Sequence, residues 1–269
     1  MNFLNDIKSS LYDTAFYKSL SERPFKSSMK YFYSLVAVLS FILAFVFGTQ
    51  LSPMFSNENL RKVVGYYPAE LTLTVKNGAV SSNVTEPYSI KDNNPSIGRT
   101  ANFVVVDTKN GFTRELFEKY NADVWIGKDF AVTLKGKSQT ELTDLRQMPD
   151  FVLNQDKLTS WADKIGNYHF ILSLGLFFVL FFAFLGFFTL KLVWLFIMAL
   201  IIFLYAKARK ISLSYKKSYQ IALHAVTVPV ILAAIFIISK IQEPFTFFFT
   251  LILLAIAFSN IKKSDVTAS

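Results

Sequence analysis

Long apolar stretches alternate with one stretch of ordinary soluble composition along this chain. Four stretches, Tyr31–Leu51, Phe170–Ala206, Ile221–Ser239 and Phe245–Asn260, carry no charged residue apart from Lys191. The hydrocarbon core of a bilayer is about 30 Å thick and a helix rises about 1.5 Å per residue, so about 18 or more apolar residues are typical of a spanning helix. The pattern therefore predicts an integral membrane protein.

The second stretch is longer than one ordinary crossing requires. As a single helix its roughly 37 residues would extend about 55 Å, which favours a helical hairpin that turns near Gly186–Lys191. The predicted fold class is thus a membrane α-helical bundle of about five transmembrane helices, with a small α+β extracytoplasmic domain inserted at residues 52–166. The helices are predicted at 31–51 and at about 167–188, 190–206, 220–239 and 244–260, within a bundle region of 167–261, and a tail follows at 262–269.

Residues 1–30 are predicted to form an amphipathic juxtamembrane segment. Phe3, Leu4, Ile7 and Leu11 have the spacing of one apolar helical face, and Asp13-Thr14 is suited to cap a second turn of helix. Such a helix lies in the plane of the membrane interface; a plain linker is the alternative. The first apolar stretch lacks a small-residue cleavage site, so we expect it to be retained as an anchor.

The inserted stretch has the local signals of strands, turns and helices. Residues 71–75 alternate with period two and are followed by Asn77-Gly78, a dipeptide that favours a type I′ hairpin turn. Residues 136–154 are polar and have no clear period. The remaining predicted elements are a returning strand at 79–84, a third strand at 102–107, a helix from Thr113 to Tyr120, a second hairpin at 124–134 and a helix at 154–166.

The distribution of charge indicates how the chain is oriented in a membrane rather than a polyanionic partner. The chain has 28 Lys and Arg against 19 Asp and Glu, for a net charge of +9, but the inserted stretch has 14 of each sign. The basic excess lies beside the apolar stretches, in residues 1–30, 207–217 and the tail, where it predicts contact with anionic lipids. Nucleic-acid binding is not expected. The chain has no cysteine, which excludes disulfides and thiolate chemistry.

The same charges leave the topology open. The basic flank before Tyr31 places the N-terminus in the cytoplasm and the inserted domain outside. Five crossings would then place the basic loop at 207–217 outside as well, which the same rule disfavours. Three alternatives remain: Phe170–Ala206 crosses once, the first helix overrides the later charges, or the domain is cytoplasmic. An external domain is the interpretation we favour.

No residue pattern predicts catalysis, a metal site or a cofactor. The two histidines, His169 and His224, have no ligand spacing and no paired acid. His224 lies within an apolar helix with Thr227 and Pro229, and these are candidates because a proline frees a carbonyl that can line a cavity. The alternative is that they serve helix packing and curvature only.

Asp107 and Thr108 are the candidates in the inserted domain. They follow the third predicted strand, and Asp123 and Asp129 lie nearby in sequence, so a small acidic cluster is one interpretation. The alternative is turn chemistry, in which an aspartate at a strand end bonds to the backbone of the following turn.

Several segments, in this order, are similar to a known family. They are Phe3 with Ser10-Leu11-Tyr12 and Phe16-Tyr17, the strand at 73–78, Glu86-Pro87-Tyr88, residues 104–108, and residues 213–216 with 225–229. The chain resembles an uncharacterised bacterial family of multi-pass membrane proteins that includes putative maltodextrin-utilisation membrane proteins. A weaker similarity to Yip-type membrane proteins covers the C-terminal half. The resemblance implies a bacterial cell (inner) membrane and supplies no catalytic residues.

The sequence therefore predicts a non-enzymatic membrane protein that uses its inserted domain for binding, as an accessory protein or a sensor. Another membrane protein is an expected partner, alongside the anionic lipids. The alternative function is a transport component for small solutes or lipids, with the substrate held in the helical bundle. A scarcity of polar groups in the apolar stretches favours the first.

Overall fold

The chain divides into two compact units. The computed structural model describes residues 3–20, 22–91, 102–135, 139–242, 244–245 and 247–262. The helical unit comprises residues 1–52 and 171–269, and the inserted unit comprises Pro53–Phe170.

The helical unit begins with two short helices and one long one. They are α1 (Phe3–Tyr12), α2 (Thr14–Ser19) and α3 (Phe25–Leu51). The Asp13 carboxylate accepts hydrogen bonds from the backbone N–H of Ala15 and Phe16, which confirms the predicted cap of α2. Pro24 precedes α3 at a position where its missing N–H costs nothing.

In its described residues, the inserted unit combines three α-helices with two sheets whose strands are mostly antiparallel. A 3₁₀ turn at Ser52–Phe55 leads into it. In chain order its elements are α4 (Asn57–Val64), β1 (Leu73–Lys76), β2 (Ala79–Ser82), β3 (Tyr88–Lys91), β4 (Asn102–Val106), α5 (Arg114–Tyr120), β5 (Ala122–Ile126), β6 (Phe130–Lys135), β7 (Gln139–Asp144), β8 (Phe151–Leu153) and α6 (Gln155–Asn167).

The chain then returns to the helical unit. Its remaining helices are α7 (His169–Thr189), α8 (Lys191–Ala208), α9 (Tyr215–Ala225), α10 (Thr227–Ser239) and α11 (Phe248–Lys262). Among the described residues, three helical stretches are long and apolar enough to cross a membrane: Phe25–Phe55, His169–Ala208 and Tyr215–Ser239. A shorter apolar helix covers Phe248–Ile261.

The hairpin predicted near Gly186–Lys191 is absent, and that prediction is wrong. Leu190 keeps right-handed helical angles, and its backbone N–H donates to the carbonyl of Gly186 at 3.0 Å. Helices α7 and α8 therefore continue one another over 40 residues. No proline interrupts this stretch, and Gly186 can adopt helical angles. The length of the apolar stretch was therefore not sufficient to predict a reversal of the chain.

The inserted unit confirms the strongest local predictions. Asn77 and Gly78 both have positive φ, at 50° and 71°, and join β1 to β2 as a type I′ turn requires. Thr113 caps α5 by accepting from the N–H of Leu116. The strand orders are β2-β1-β8 in one sheet and β3-β4-β5-β6-β7 in the other, and among the strands that the structure describes only β4 and β5 are parallel. The helix α5 provides the connection that this parallel pair needs.

The facing sides of the two sheets share an apolar core. Buried Leu71, Leu73 and Val75 from the β1 side pack with Val106 of β4 and with Leu145. On the other side of the larger sheet, Trp125 lies against Phe117 and Phe130. The sheets are thus held as one body by side chains that alternate along each strand.

Candidate functional site

A group of buried polar side chains lies inside the helical unit. We call it the polar cluster; it consists of Asp6, Ser10, Arg23, Ser28, Tyr31, Gln220, His224 and Thr227. All but Arg23 are buried, with 0–4% of their surface exposed. Five of its eight members lie outside the four apolar stretches, so the scarcity of polar residues within those stretches gave no sign of the cluster.

The N-terminal helix contributes its polar face to this cluster. Asp6 and Ser10 are buried, whereas Leu4 and Leu11 are 70% and 41% exposed. Positions four apart lie on one face of a helix, so α1 turns Asp6 and Ser10 inward together with its partly buried Phe3 and Ile7. The predicted face of four apolar residues is divided between the inside and the outside.

His224 lies at the centre of the polar cluster. Its Nδ1 is 3.1 Å from Ser10 Oγ and its Nε2 is 3.3 Å from Ser28 Oγ. The ring stacks on Tyr31, with centroids 4.3 Å apart, and meets the edge of Phe16 at 5.1 Å. Both ring nitrogens therefore have hydroxyl partners from helices that are more than 190 residues away in sequence.

Thr227 extends the cluster by one turn. Its hydroxyl donates to the His224 carbonyl at 2.7 Å, so the Tyr31 hydroxyl, 2.7 Å from Thr227 Oγ1, is the donor of that pair. A second phenol, Tyr17 of α2, donates to the Ser10 carbonyl at 2.8 Å. Burial, and then the nearby Tyr31, raise the pKa of Tyr17, which keeps it a donor.

The polar cluster contains an ion pair between Arg23 and Asp6. Arg23 Nη1 donates to Asp6 Oδ1 at 2.9 Å, and the guanidinium lies 4.7 Å from the centre of the Phe16 ring. Gln220 Nε2 donates to the Arg23 carbonyl at 3.0 Å. Two buried acceptors, Asp6 Oδ2 and Gln220 Oε1, have no donor within the described residues. The cluster is polar enough to hold a proton donor or water at these oxygens.

Pro229 lies beside this cluster but outside its hydrogen bonds. It occupies the first turn of α10, where a missing N–H is tolerated. Only Val226 separates α9 from α10, and the two together form one apolar helix of 25 residues. The proline lines a cleft of about 440 Å³ in the helical unit.

A larger cleft lies within the inserted unit. We call it the inserted-unit cleft; its volume is about 740 Å³. It opens between α4, the segment that follows α4, and the facing sides of the two sheets. Its lining is Val63, Val64, Tyr66, Tyr67, Leu71, Leu73, Ile90, Lys91, Phe103, Val104, Val106, Ile126, Leu153 and Leu158.

The polar groups of this cleft are few. Tyr67 donates to the carbonyl of Leu153 at 3.1 Å and is thereby satisfied. The Lys91 side chain lines the cleft and is exposed, and Tyr66 is 63% exposed. A mostly apolar concavity with a small number of polar groups at its opening has the form of a small-molecule site.

Asp107 is buried and bonded to the turn that follows β4. Its carboxylate accepts from the backbone N–H of Lys109 and Asn110 at 3.1 and 3.3 Å, from the Asn110 side chain at 2.7 Å, and from the Tyr120 hydroxyl. Burial works to raise the pKa of Asp107, but these hydrogen bonds outweigh it and lower the pKa overall. The geometry is that of the turn alternative.

Thr108 is engaged by a different acid. Its N–H and its hydroxyl both donate to the Glu86 carboxylate, at 2.7 Å and 2.9–3.0 Å. Asp123 and Asp129 do not join Asp107 in a cluster of three or more acidic or histidine side chains within the part of the chain that the structure describes. The structure thus brings His224 and Thr227 together and leaves Asp107 and Thr108 apart from both clefts.

Comparison with known proteins identifies a family. The chain belongs to the family described as Protein of unknown function (DUF1189), whose model matches residues 4–260. No curated protein matches the chain, and no solved structure does. The expected membership of an uncharacterised family is confirmed.

Proposed function

We propose that this protein is a membrane-anchored binding protein, without a reaction of its own, whose inserted unit takes up the apolar part of a ligand. The observation that supports this most is the inserted-unit cleft. Its volume of about 740 Å³ falls within the roughly 300–1,000 Å³ typical of ligand sites. An apolar concavity of this size in contact with water is unfavourable unless something covers it.

The lining favours an acyl chain over a sugar. Aliphatic side chains such as Val104 and Leu73 form most of it, and they offer no hydrogen bonds to the hydroxyl groups of a maltodextrin. Lys91 at the opening suits a carboxylate or phosphate. We therefore propose an amphiphile with one acidic group as the ligand class, and the maltodextrin association of the resembling proteins is the rival outcome of the test.

A membrane arrangement with four crossings fits the charges. The crossings are α3, the continuous α7–α8 helix, the α9–α10 helix and α11. Because α7–α8 crosses once, the basic N-terminal flank, the loop at 209–214 and the tail after α11 all lie on one side. The positive-inside rule makes that side the cytoplasm. We accordingly propose a bacterial cell membrane location with the inserted unit outside.

A transport function is the second candidate, and the polar cluster favours it. Ionisable groups inside a helical unit frequently mark substrate or proton pathways. The buried acceptors Asp6 Oδ2 and Gln220 Oε1 have no donor among the described residues. A substrate with N–H or O–H groups would satisfy them.

Photo-crosslinking separates these functions. The full chain in nanodiscs is exposed to a palmitate that carries a diazirine, and the adducts are mapped by peptide mass spectrometry. We expect adducts on peptides that contain residues 63–73 and 103–106. Ile90→Trp, which fills the cleft, should reduce them at least fivefold, whereas Val152→Trp, on β8 of the other sheet and outside the lining, should not.

Other results would contradict the binding function. Adducts restricted to the apolar helices, and equal in both variants, would mean that the inserted-unit cleft takes no acyl chain. Competition by maltodextrin but not by unlabelled palmitate would favour the sugar. Adducts concentrated on α1 and α9 would favour transport through the polar cluster.

A further inference from the structure

The continuity of α7 and α8 places a cation in the middle of an apolar helix. Lys191 is the only charged residue in Phe170–Ala206. At about 1.5 Å per residue it lies about 33 Å from one end of the His169–Ala208 helix and about 26 Å from the other. In the proposed arrangement, a bilayer core of about 30 Å that begins at Ala208 ends near Lys191, so the ammonium group lies at the level of the lipid phosphates and requires an anionic partner there.

That partner is missing within the described residues. Lys191 Nζ lies 5.3 Å from the centre of the Phe187 ring, and it forms no ion pair with a described carboxylate. Asp6, a buried acid of the helical unit, is already paired with Arg23. The ring contact is favourable for a cation but does not neutralise its charge.

A cleft lies directly beside this lysine. Lys191 and Trp194 line it from the long helix, Pro229 and Ala233 from α10, and Thr250 from α11. Residues three apart are neighbours on a helix surface, and the side chains of Lys191 and Trp194 border the same cleft. Neither is hydrogen-bonded to another described residue. Its volume is about 440 Å³, and apolar side chains form most of its wall.

We propose that this cleft, which we call the Lys191 cleft, binds an anionic phospholipid of the bilayer. The phosphate pairs with Lys191 and accepts from Trp194, and an acyl chain covers the apolar wall. Charge complementarity supports this assignment. Two hydrogen-bond donors, one of them cationic, border the cleft, and in a membrane lipid surrounds this helical stretch. The inference rests on the proposed membrane arrangement but not on the ligand of the inserted unit.

Lipid retention tests the proposal. The full chain is purified in mild detergent, incubated with equal amounts of phosphatidylglycerol and phosphatidylcholine, and examined by native mass spectrometry. We expect one phosphatidylglycerol to be retained with at least tenfold preference. Lys191→Gln should reduce that preference at least fivefold. Lys207→Gln, which removes an exposed basic residue at the end of α8, should leave it within twofold.

A second pair of variants tests the space without altering charge. Ala233→Phe fills the Lys191 cleft and should abolish retention, whereas Leu232→Phe, one residue earlier and outside the lining, should not. Equal losses in Lys191→Gln and Lys207→Gln would overturn the proposal, since they indicate general attraction to a basic surface. Full retention in Ala233→Phe, or equal preference for oleate alone, would overturn it as well. Crosslinking in the inserted unit is unaffected by these outcomes, so the two proposals fail separately.

Discussion

Removal of the Arg23 guanidinium would leave a carboxylate inside the helical unit without its cation. The Asp6 side chain is 6% exposed and that of Arg23 is 30% exposed. Breaking a buried ion pair by removing one partner costs about 3–5 kcal/mol, whereas a surface pair contributes about 0–1 kcal/mol. Because water reaches Arg23 in part, we expect Arg23→Met to cost about 2–3 kcal/mol.

The loss should appear first where α1 and α2 pack on the other helices. Asp6 belongs to α1, and its contact with Arg23 joins this helix to the start of α3. Local opening of α1 and α2 exposes their amides to exchange with solvent. At about 1.4 kcal/mol per factor of ten, the expected destabilisation corresponds to exchange about 30- to 140-fold faster. Hydrogen–deuterium exchange mass spectrometry of the full chain measures this directly.

Two further variants control for other causes. The double variant Asp6→Asn/Arg23→Met removes both charges and should recover most of the protection, since the cost lies in the unpaired carboxylate. Arg61→Met breaks the exposed ion pair with Asp163 in the inserted unit and should leave α1 and α2 unchanged. A change below threefold in Arg23→Met, or a double variant as fast as the single one, would refute the reasoning.

Three other predictions concern topology and the inserted unit. Single cysteines at Lys109 and Arg209 should react with an impermeant thiol reagent from opposite sides of the membrane; labelling of both from one side would contradict four crossings. Gly78→Ala should destabilise the inserted unit by at least about 1–2 kcal/mol, because φ is +71° and a Cβ would lie 2.4 Å from a backbone carbonyl oxygen. The control is Gly111→Ala, whose Cβ meets nothing within 4 Å. Equal melting temperatures of the two variants would refute this prediction. The lowered pKa of Asp107 in the folded state contributes stability above about pH 4, the pKa of an aspartate in the unfolded chain. This stability is lost as the pH falls through the lower pKa of the folded state. Asp107→Asn should flatten this acid dependence in a pH series of thermal melts, and an unchanged slope would count against the prediction.

The features that sequence predicted well depend on short-range chemistry. The Asn77-Gly78 turn and the caps at Asp13 and Thr113 each need only residues within three positions of one another. Strands β3, β7 and β8 were not predicted. In β7 every residue is exposed, so its polar sequence has no period of burial. Such an edge strand is held by backbone hydrogen bonds to β6, which leave no pattern in the side chains.

The polar cluster escaped prediction because its members are distant in sequence. Ser10 and His224 are 214 positions apart, and Ser28 and His224 are 196 apart. A usable signal was present in α1, where Asp6 and Ser10 share a helical face with the apolar Phe3 and Ile7. A mixed face of that kind indicates a helix that packs on a polar partner rather than on lipid.

The continuous α7–α8 helix agrees with the charge pattern but is longer than a bilayer core. In the proposed arrangement, a single crossing by α7 and α8 removes the contradiction between the basic loop and the first helix, but the apolar length of about 55 Å exceeds the roughly 30 Å of a bilayer core. Tilt accommodates only part of this difference at modest cost. The most apolar part of the helix has no buried residue within the helical unit. The surplus must therefore be covered by lipid at the interface or by another membrane protein, and α7, whose only buried side chain is Phe188, is where such a partner would bind.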